Sequence, residues 1–341
     1  MQPKKLSVSR KLLFTTVIAL GLFLPAELIA RLVMDETSGA FVARPGLQWG
    51  MESNMRSAPL HTMSKLRTFR VSTNEDGLRT PYPSGPGEPG TQTVMWLGDS
   101  LVFGWGVNDQ DTAPHFLDQQ LQTLFQGSNY RVINGGMPAY STVQSYVLLR
   151  GAAERYLPKV VVLQLAYHNL KTADTTDASE LEALGGAGFS WWMARHSYAY
   201  RALRGLLLWI YPPPDDAVLL GETIMTGDVT DADSDQVRVP PSDLREILHS
   251  ASLLGQKLGF TLVVYFPSNF TTIPARHEAV VLDLESKGEL VYIDVPTLFQ
   301  ANGGGNPALR LPWDPNHYTA QGNELVAICI ATLLKEEGLV H

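Results

Sequence analysis

One serine, one histidine and one aspartate in this chain have the types and settings that nucleophilic catalysis requires. Ser100 follows the apolar run Val94 to Leu97, which predicts a buried strand that Gly98-Asp99 breaks at once. A hydroxyl is a poor nucleophile at its own pKa, so Ser100 needs a general base, and the base needs a group that orients it. Asp314 and His317, three residues apart on one turn before a predicted helix, can supply both.

The elements that must position these residues alternate between strand and helix. This alternation is the signature of a doubly wound α/β fold with a parallel sheet. In such sheets ligands collect at the carboxyl edge of the strands, where Ser100 is expected. The predicted strands are Val94 to Leu97, Tyr130 to Ile133, Lys159 to Leu165, Phe260 to Phe266 and Leu290 to Val295, and the predicted helices are Asp111 to Phe125, Ser141 to Leu157, Ser242 to Leu258, Pro274 to Lys287 and Thr319 to Lys335.

Four short blocks along the chain resemble those of the SGNH, or GDSL-type, hydrolase superfamily. The blocks are Gly98-Asp99-Ser100, Asn134 to Ala139, Tyr167 to Leu170, and Asp314-x-x-His317, so the resemblance covers about residues 93–336. It implies a flavodoxin-like α/β/α sandwich with a mostly parallel sheet. It also implies acyl ester chemistry, in which Ser100 attacks, His317 acts as base and Asp314 orients it.

The resemblance further implies an oxyanion hole made by the Ser100 N–H, the Ala139 N–H and the side chain of Asn169. Ala139 stands where the family has glycine, so it keeps the N–H but cannot freely adopt a positive φ. The third block allows two registers, with either Asn169 or His168 in the place of the family's asparagine. Asn169 is preferred because an amide donates without titrating, whereas a neutral histidine must hold the right tautomer.

The sequence therefore predicts a serine-dependent ester hydrolase whose candidate substrates are carbohydrate O-acyl groups or lipid-like esters. The three side chains suffice for this chemistry, so no cofactor and no metal are implied. Two alternatives stay open. The same site also suits an O-acyltransferase that acts on envelope polysaccharide or exopolysaccharide, because water and sugar hydroxyls compete for one acyl-enzyme. The irregular third block and Ala139 also leave room for a non-catalytic binding or assembly protein with a decayed site.

Composition narrows the possible partners. The chain has 341 residues and a formal net charge of -8, which argues against a nucleic-acid partner because phosphate binding is driven by basic surface. Its hydrophobic fraction of 45% is that of a folded globular protein. The single cysteine, Cys329, lies on the apolar face of the last predicted helix, so it is expected to be a small buried apolar side chain.

The amino terminus predicts a transmembrane signal-anchor at residues 12–33. This stretch is 22 residues of mostly apolar type, long enough at 1.5 Å per residue for the hydrocarbon core. Its only charges, Glu27 and Arg31, can pair at i, i+4. Residues 1–11 form a basic tail, which places the amino terminus in the cytoplasm and the catalytic domain in the periplasm or outside the cell. The alternative is a cleaved signal peptide with a cleavage site at Ser38-Gly39-Ala40.

Two segments fall outside the predicted α/β domain. Residues 34–92 are rich in Gly, Pro, Ser and Thr, which indicates a linker or a wrapped extension rather than a second domain. The segment from about 171 to 240 interrupts the domain of residues 93–336. It contains an apolar, aromatic stretch from Trp191 to Tyr211 and an acidic stretch from Asp215 to Val239, so it is expected to be a lid or a binding arm.

Overall fold

The computed structural model describes residues 8–33, 40–44, 47–61, 67–125, 129–171, 176–178, 197–210, 237–268 and 274–341. Three of the predictions above lie outside these residues. They concern the first seven residues of the basic tail, the possible cleavage site at Ser38-Gly39, and most of the insertion, including Trp191, Trp192 and the acidic stretch up to residue 236.

The described helices and strands agree with the predicted alternation over the catalytic region. The helices are α1 (Val8–Val33), α2 (Ser100–Phe103), α3 (Ala113–Leu124), α4 (Thr142–Tyr156), α5 (Tyr198–Ile210), α6 (Pro241–Leu258), α7 (Ala275–Ser286), α8 (Val295–Ala301) and α9 (Ala320–Glu336). The strands are β1 (Phe41–Arg44), β2 (Leu47–Met51), β3 (Ala58–His61), β4 (Thr68–Val71), β5 (Thr91–Gly98), β6 (Asn129–Gly136), β7 (Val160–Gln164), β8 (Thr261–Tyr265), β9 (Val291–Tyr292), β10 (Arg310–Leu311) and β11 (Asp314–Tyr318).

Five parallel strands form the central sheet, in the spatial order β6-β5-β7-β8-β9. Numbered within the sheet this order is 2-1-3-4-5, the flavodoxin-like arrangement of doubly wound folds. In the register of the three strands at the switch point, Leu97 of β5 lies opposite Gly135 on one side and Leu163 on the other. The predicted flavodoxin-like sheet is therefore confirmed. The switch point places a crevice at the carboxyl end of β5, directly before Ser100.

Apolar helices cover both faces of this sheet. Met95 and Leu97 of β5 face a cluster that includes α4, α6 and α7, whereas Val94 and Trp96 face a second cluster that includes α3, α8 and α9. Burial on both faces explains why the strands are near-continuous apolar runs. Cys329 of α9 is 1% exposed in the second cluster, as predicted, and burial raises its pKa to about 11.

The extension before the domain folds onto it as two antiparallel hairpins, β1–β2 and β3–β4. Their buried side chains join one apolar cluster with Phe103, Met137, Ala139 and Tyr140, which follow β5 and β6. Trp49 Nε1 donates to the carbonyl of Pro138, and the Tyr140 hydroxyl donates to the carbonyl of Trp49. This part of the predicted extension therefore packs directly against the loops at the carboxyl edge of the sheet.

Helix α1 begins four residues before the apolar stretch that the sequence singled out and ends at the same residue, Val33. Among the residues that the structure describes, no helix has the length and apolarity needed to cross a membrane. The predicted transmembrane span at residues 12–33 is thus not supported. Glu27 and Arg31 form the expected pair at 2.8 Å. Glu27 also accepts hydrogen bonds from the N–H groups of Tyr198 and Ala199, and so caps the first turn of α5.

Candidate active site

Ser100 is the first residue of α2 and follows β5 after a single intervening residue. Asp99 caps this short helix, because its Oδ1 accepts the N–H of Leu101 at 2.9 Å. The N–H of Ser100 has no acceptor inside a helix that starts at this residue. Gly98 is required by packing, since a Cβ there would lie 2.6 Å from Cγ2 of Val102 and 2.7 Å from Oε1 of Gln164. The Gly-Asp-Ser sequence thus makes a tight strand-to-helix turn with the serine at its apex.

His317 and Asp314 lie on a short antiparallel hairpin, β10–β11, rather than on the single turn that the sequence suggested. Leu311 pairs with Asp314 and Arg310 with Tyr318, so the register shifts and the intervening residues bulge. The N–H of Asn316 donates to Oδ1 of Asp314 at 3.3 Å, an Asx turn within the bulge. The bulge brings the aspartate and the histidine to one side, although residues three apart on a regular strand point to opposite faces.

Ser100, His317 and Asp314 form one hydrogen-bonded chain. His317 Nε2 lies 2.7 Å from Ser100 Oγ, and His317 Nδ1 lies 2.7 Å from Asp314 Oδ2. Ser100 and His317 are 6% and 5% exposed, so the hydrogen bond between them is largely shielded from solvent. This is the geometry in which a base takes a proton from an attacking hydroxyl.

The electrostatics of Asp314 fit the orienting role. Its burial acts to raise the carboxyl pKa, but the hydrogen bond and charge of His317 and the Asn316 N–H outweigh it, so the pKa lies below the ordinary 3.8. The carboxylate is therefore ionised at neutral pH and accepts the Nδ1–H of His317. That tautomer leaves Nε2 free to accept the Ser100 proton.

The loop after β6 supplies Ala139 as the second predicted oxyanion donor. Gly136 lets this loop approach α2, because a Cβ there would lie 2.2 Å from the N atom of Phe103. Ala139 has a φ of 63°, so its backbone is not the ordinary one that an alanine prefers but the left-handed one that the family's glycine adopts freely. Its N–H has no acceptor among the described residues. The N–H of Ala139 is therefore available as a donor, although the residue holds a strained, left-handed backbone conformation.

The side-chain amide of Asn169, the third predicted donor, is hydrogen-bonded to Thr142, the first residue of α4. The N–H of Thr142 donates to its Oδ1 at 2.9 Å, and its Nδ2 donates to Thr142 Oγ1 at 2.7 Å. Asn169 also lines a small pocket with Leu244 and His277 of α6 and α7. The structure thus shows the oxygen and one N–H of the Asn169 amide bonded to Thr142, while the choice between Asn169 and His168 as the oxyanion donor stays a prediction.

His168 is the other candidate oxyanion donor of the third block. The preceding residue, Tyr167, donates its N–H to the carboxylate of Asp99, so this loop adjoins the turn that carries Ser100. His168 is 7% exposed, and its Nδ1 has no hydrogen-bond partner among the described residues. Burial first, and then the positive charges of Arg238 and two other nearby residues, lower its pKa well below 6.5. The imidazole is therefore neutral at pH 7 and carries one N–H.

A buried arginine that the sequence did not single out supports the chain after Ser100. Arg79 is 4% exposed and donates to the carbonyls of Phe103 at 3.0 Å, Gly104 at 2.7 Å and Val107 at 2.7 Å. Desolvation by burial lowers the pKa of its guanidinium below the ordinary value. A lone arginine after a turn carries no periodic signal, so only the tertiary structure identifies it. Among the described residues no group of three or more His, Cys, Asp or Glu side chains is arranged to hold a metal ion.

Solved structures similar to this chain are esterases and acylhydrolases at low identity. A psychrotrophic esterase, EstA, from Pseudoalteromonas is 12% identical with a TM-score of 0.44, over 72% of this chain and 98% of that one. A G-D-S-L family lipolytic protein from Desulfitobacterium hafniense is 14% identical with a TM-score of 0.42, over 71% and 99%. An acetylxylan esterase, Axe2, from Geobacillus stearothermophilus is 14% identical with a TM-score of 0.41, over 75% and 98%. No family model and no curated protein matches the chain.

The chain combines a parallel sheet in the order 2-1-3-4-5, a serine at the switch point and an Asp-x-x-His segment bonded to that serine. This is the arrangement that the resemblance of the four sequence blocks to SGNH, or GDSL-type, hydrolases implies. The likeness to solved structures at these TM-scores adds no detail of substrate or partner.

Proposed function

We propose that this protein is a serine-dependent carboxylic ester hydrolase that works through Ser100, His317 and Asp314. The observation that carries the proposal is the pair of 2.7 Å contacts joining Ser100 Oγ, the two ring nitrogens of His317 and the Asp314 carboxylate. An ordinary turn serine has no base within hydrogen-bond reach. A histidine without an orienting carboxylate is held neither in one ring orientation nor in one tautomer.

The reaction follows from these positions. Ser100 Oγ bonds to the acyl carbon while its proton passes to His317 Nε2, and the charge of the resulting imidazolium is balanced by Asp314. The C–O bond to the alcohol then breaks, and His317 returns the proton to the leaving oxygen. Water attacks the acyl-Ser100 ester by the same route and releases the acid. No step requires a redox agent or a metal.

Negative charge on the acyl oxygen is held by donors already in place. The N–H groups of Ser100 and Ala139 are two of them. We assign the third to the neutral imidazole N–H of His168, in the register that the sequence left as its second choice. A neutral ring suits this role, because donors fixed before the reaction stabilise the oxyanion without reorganisation.

Hydrolysis of a p-nitrophenyl acetate by the purified full-length chain tests the proposal. Ser100→Ala is expected to lower kcat by at least roughly 10³-fold. Ser286→Ala, a change at an exposed serine of α7, serves as the matched control and should keep wild-type activity. Equal rates for the wild type and Ser100→Ala would contradict the proposal and favour a binding or assembly protein with a decayed site.

Whether water or a sugar hydroxyl accepts the acyl group from Ser100 is tested by measuring the products. Purified protein is given the aryl acetate with and without oligosaccharides, and both free acetate and acylated sugar are followed. Hydrolysis predicts free acetate at every sugar concentration. Acyl transfer to sugar well above what its concentration relative to water predicts would identify an O-acyltransferase instead. Carbohydrate O-acyl groups and lipid-like esters are the substrate classes to compare first.

The location of the protein stays a prediction. Its motivation is the basic tail followed by the apolar stretch of residues 12–33. We propose that the catalytic domain acts outside the cytoplasmic membrane. A reporter fused after His341 that is active only in the cytoplasm would contradict this.

A further inference from the structure

The peptide that carries the Ala139 N–H is held by the amino-terminal hairpin. This peptide joins Pro138 to Ala139, and its carbonyl oxygen accepts a hydrogen bond from Trp49 Nε1 at 3.1 Å. Trp49 is 3% exposed and packs edge-on against Tyr140, with 5.5 Å between the ring centroids. Because a peptide is planar, a fixed carbonyl also fixes the direction of its N–H.

The next peptide is held from the other side by the insertion. Arg238 Nη1 donates to the Ala139 carbonyl at 3.2 Å, and its Nη2 donates to Gln144 Oε1 at 3.0 Å. Asp177 accepts from Nε at 3.0 Å and from Nη2 at 2.8 Å. Arg238 and Asp177 are 4% and 2% exposed, so the forked pair is buried and has little freedom to rotate.

Backbone bonds at the base of the insertion fix where Arg238 lies. Its N–H donates to the carbonyl of Lys171 at 2.9 Å, its carbonyl accepts the N–H of Asp177 at 2.9 Å, and the N–H of Val239 donates to the carbonyl of Asn169 at 3.1 Å. The two ends of the insertion are thereby closed against the third sequence block. Backbone hydrogen bonds between the two ends of the insertion therefore fix the position of Arg238 and its guanidinium group.

Ala139 is the residue that needs such support. Its φ of 63° is uncommon for a residue with a Cβ, and without outside contacts this turn would relax and redirect the N–H. The two clamped peptides meet at the α-carbon of Ala139. If only one of these two peptide planes were held, the other could still rotate about the α-carbon of Ala139.

We propose that Trp49 and Arg238 are positioning residues for the oxyanion donor: they hold the peptide planes on either side of Ala139 and so aim its N–H at the acyl oxygen. The inference rests on the proposed function. It gives the amino-terminal extension and the base of the insertion a shared role in turnover, although neither supplies a reacting group.

Two conservative variants test the proposal in the full-length chain. Trp49→Phe keeps the aromatic ring and removes the N–H, and Arg238→Lys keeps the charge and removes the fork. Each is expected to lower kcat on the aryl acetate by roughly 10- to 100-fold, short of the roughly 10²- to 10³-fold loss from deleting one donor, with KM changed less than about 3-fold. Trp105→Phe and Arg245→Lys are the matched controls, since Trp105 Nε1 has no partner among the described residues and the Arg245–Asp283 pair is exposed.

A double-mutant cycle separates positioning from general stability. In an Ala139→Gly background the turn adopts positive φ without support, so Arg238→Lys should cost several-fold less in kcat than it does in the wild type. Additive losses, or changes in KM alone, would overturn the inference. Loss of near-UV circular dichroism in both Trp49→Phe and Arg238→Lys would also overturn it, because the contacts would then be structural only.

Ser100→Ala is measured in the same series. If it retains activity, the proposed function fails, and the inference fails with it. If Ser100→Ala is inactive while Trp49→Phe and Arg238→Lys both keep the wild-type kcat, the inference alone is overturned.

Discussion

Oγ of Ser100 and Nε2 of His317 lie 2.7 Å apart, although 217 positions separate the two residues in the chain. One comes from the turn after β5 and the other from the bulged hairpin before α9, and the two segments meet at the carboxyl edge of the sheet. A contact of this length is expected when a proton is to move from the hydroxyl to the ring during attack.

Asp314→Asn is expected to lower kcat by roughly 10³- to 10⁴-fold with little change in KM, because an amide no longer favours the tautomer that leaves Nε2 free. Steady-state kinetics on the aryl acetate at pH about 7 measure this. Asp283→Asn removes a carboxylate from an exposed ion-pair cluster and is the control. A loss of less than about 10-fold in Asp314→Asn would show that His317 is oriented by other contacts.

Ala139→Gly is expected to keep activity, because the N–H donor is retained and glycine adopts a φ of 63° without strain. Relief of the left-handed strain, about 1–2 kcal/mol, is offset by about 0.5–1 kcal/mol of extra entropy in the unfolded chain. The free energy of unfolding should therefore be unchanged or slightly higher. Urea unfolding and kcat are measured together. A kcat reduced more than about 10-fold, at unchanged stability, would contradict the assignment of this N–H.

His168→Ala is expected to lower kcat by roughly 10²- to 10³-fold, the typical effect of removing one oxyanion donor. His168→Asn restores an N–H donor of the type that the family uses at this place, so it should recover most of that loss. The kcat values of the two variants are compared with that of Asn169→Ala, which should mainly weaken the contact with Thr142 and lower stability. A larger loss of kcat in Asn169→Ala than in His168→Ala would contradict the assignment of His168 and support Asn169 as the oxyanion residue.

Stability should also depend on pH through His168. Its folded pKa is lowered well below 6.5 by burial and by the charges of Arg238, Lys171 and His317. Below pH 6.5 the unfolded chain therefore binds more protons than the folded chain, and the free energy of unfolding falls as the pH falls. We expect His168→Asn to reduce this slope by up to about 1.4 kcal/mol per pH unit between pH about 6.5 and 5.5. Equal slopes in the wild type and His168→Asn would be contrary to the account.

Periodic patterns predicted most of the catalytic domain, because strands buried on both faces need continuous apolar runs and packed helices need an apolar stripe. The strand β7 and the helices α6 and α9 lie within a few residues of their predicted bounds. The hairpins of the extension were not predicted in detail. Their strands are only four or five residues long and are stabilised by packing against distant residues such as Phe103 and Met137.

The nucleophile, base and orienting group were predicted from motif and order, whereas the oxyanion residue stays a choice between Asn169, which the sequence favours, and His168. Choosing between His168 and Asn169 depends on Thr142, which lies 27 positions before Asn169 and binds its amide. The support of Ala139 by Trp49 and Arg238 spans 89 and 99 positions. No local pattern encodes contacts over such separations.

Covalent labelling of Ser100 tests the central claim most directly. The folded full-length chain is treated with a fluorophosphonate, and the adduct is located by intact-mass and peptide mass spectrometry. We predict one adduct per chain, on Ser100, formed by the wild type and by Ser286→Ala but absent in Ser100→Ala and strongly slowed in His317→Ala. Unlabelled folded protein, or equal labelling of the wild type and Ser100→Ala, would contradict the assignment of Ser100 as an activated nucleophile.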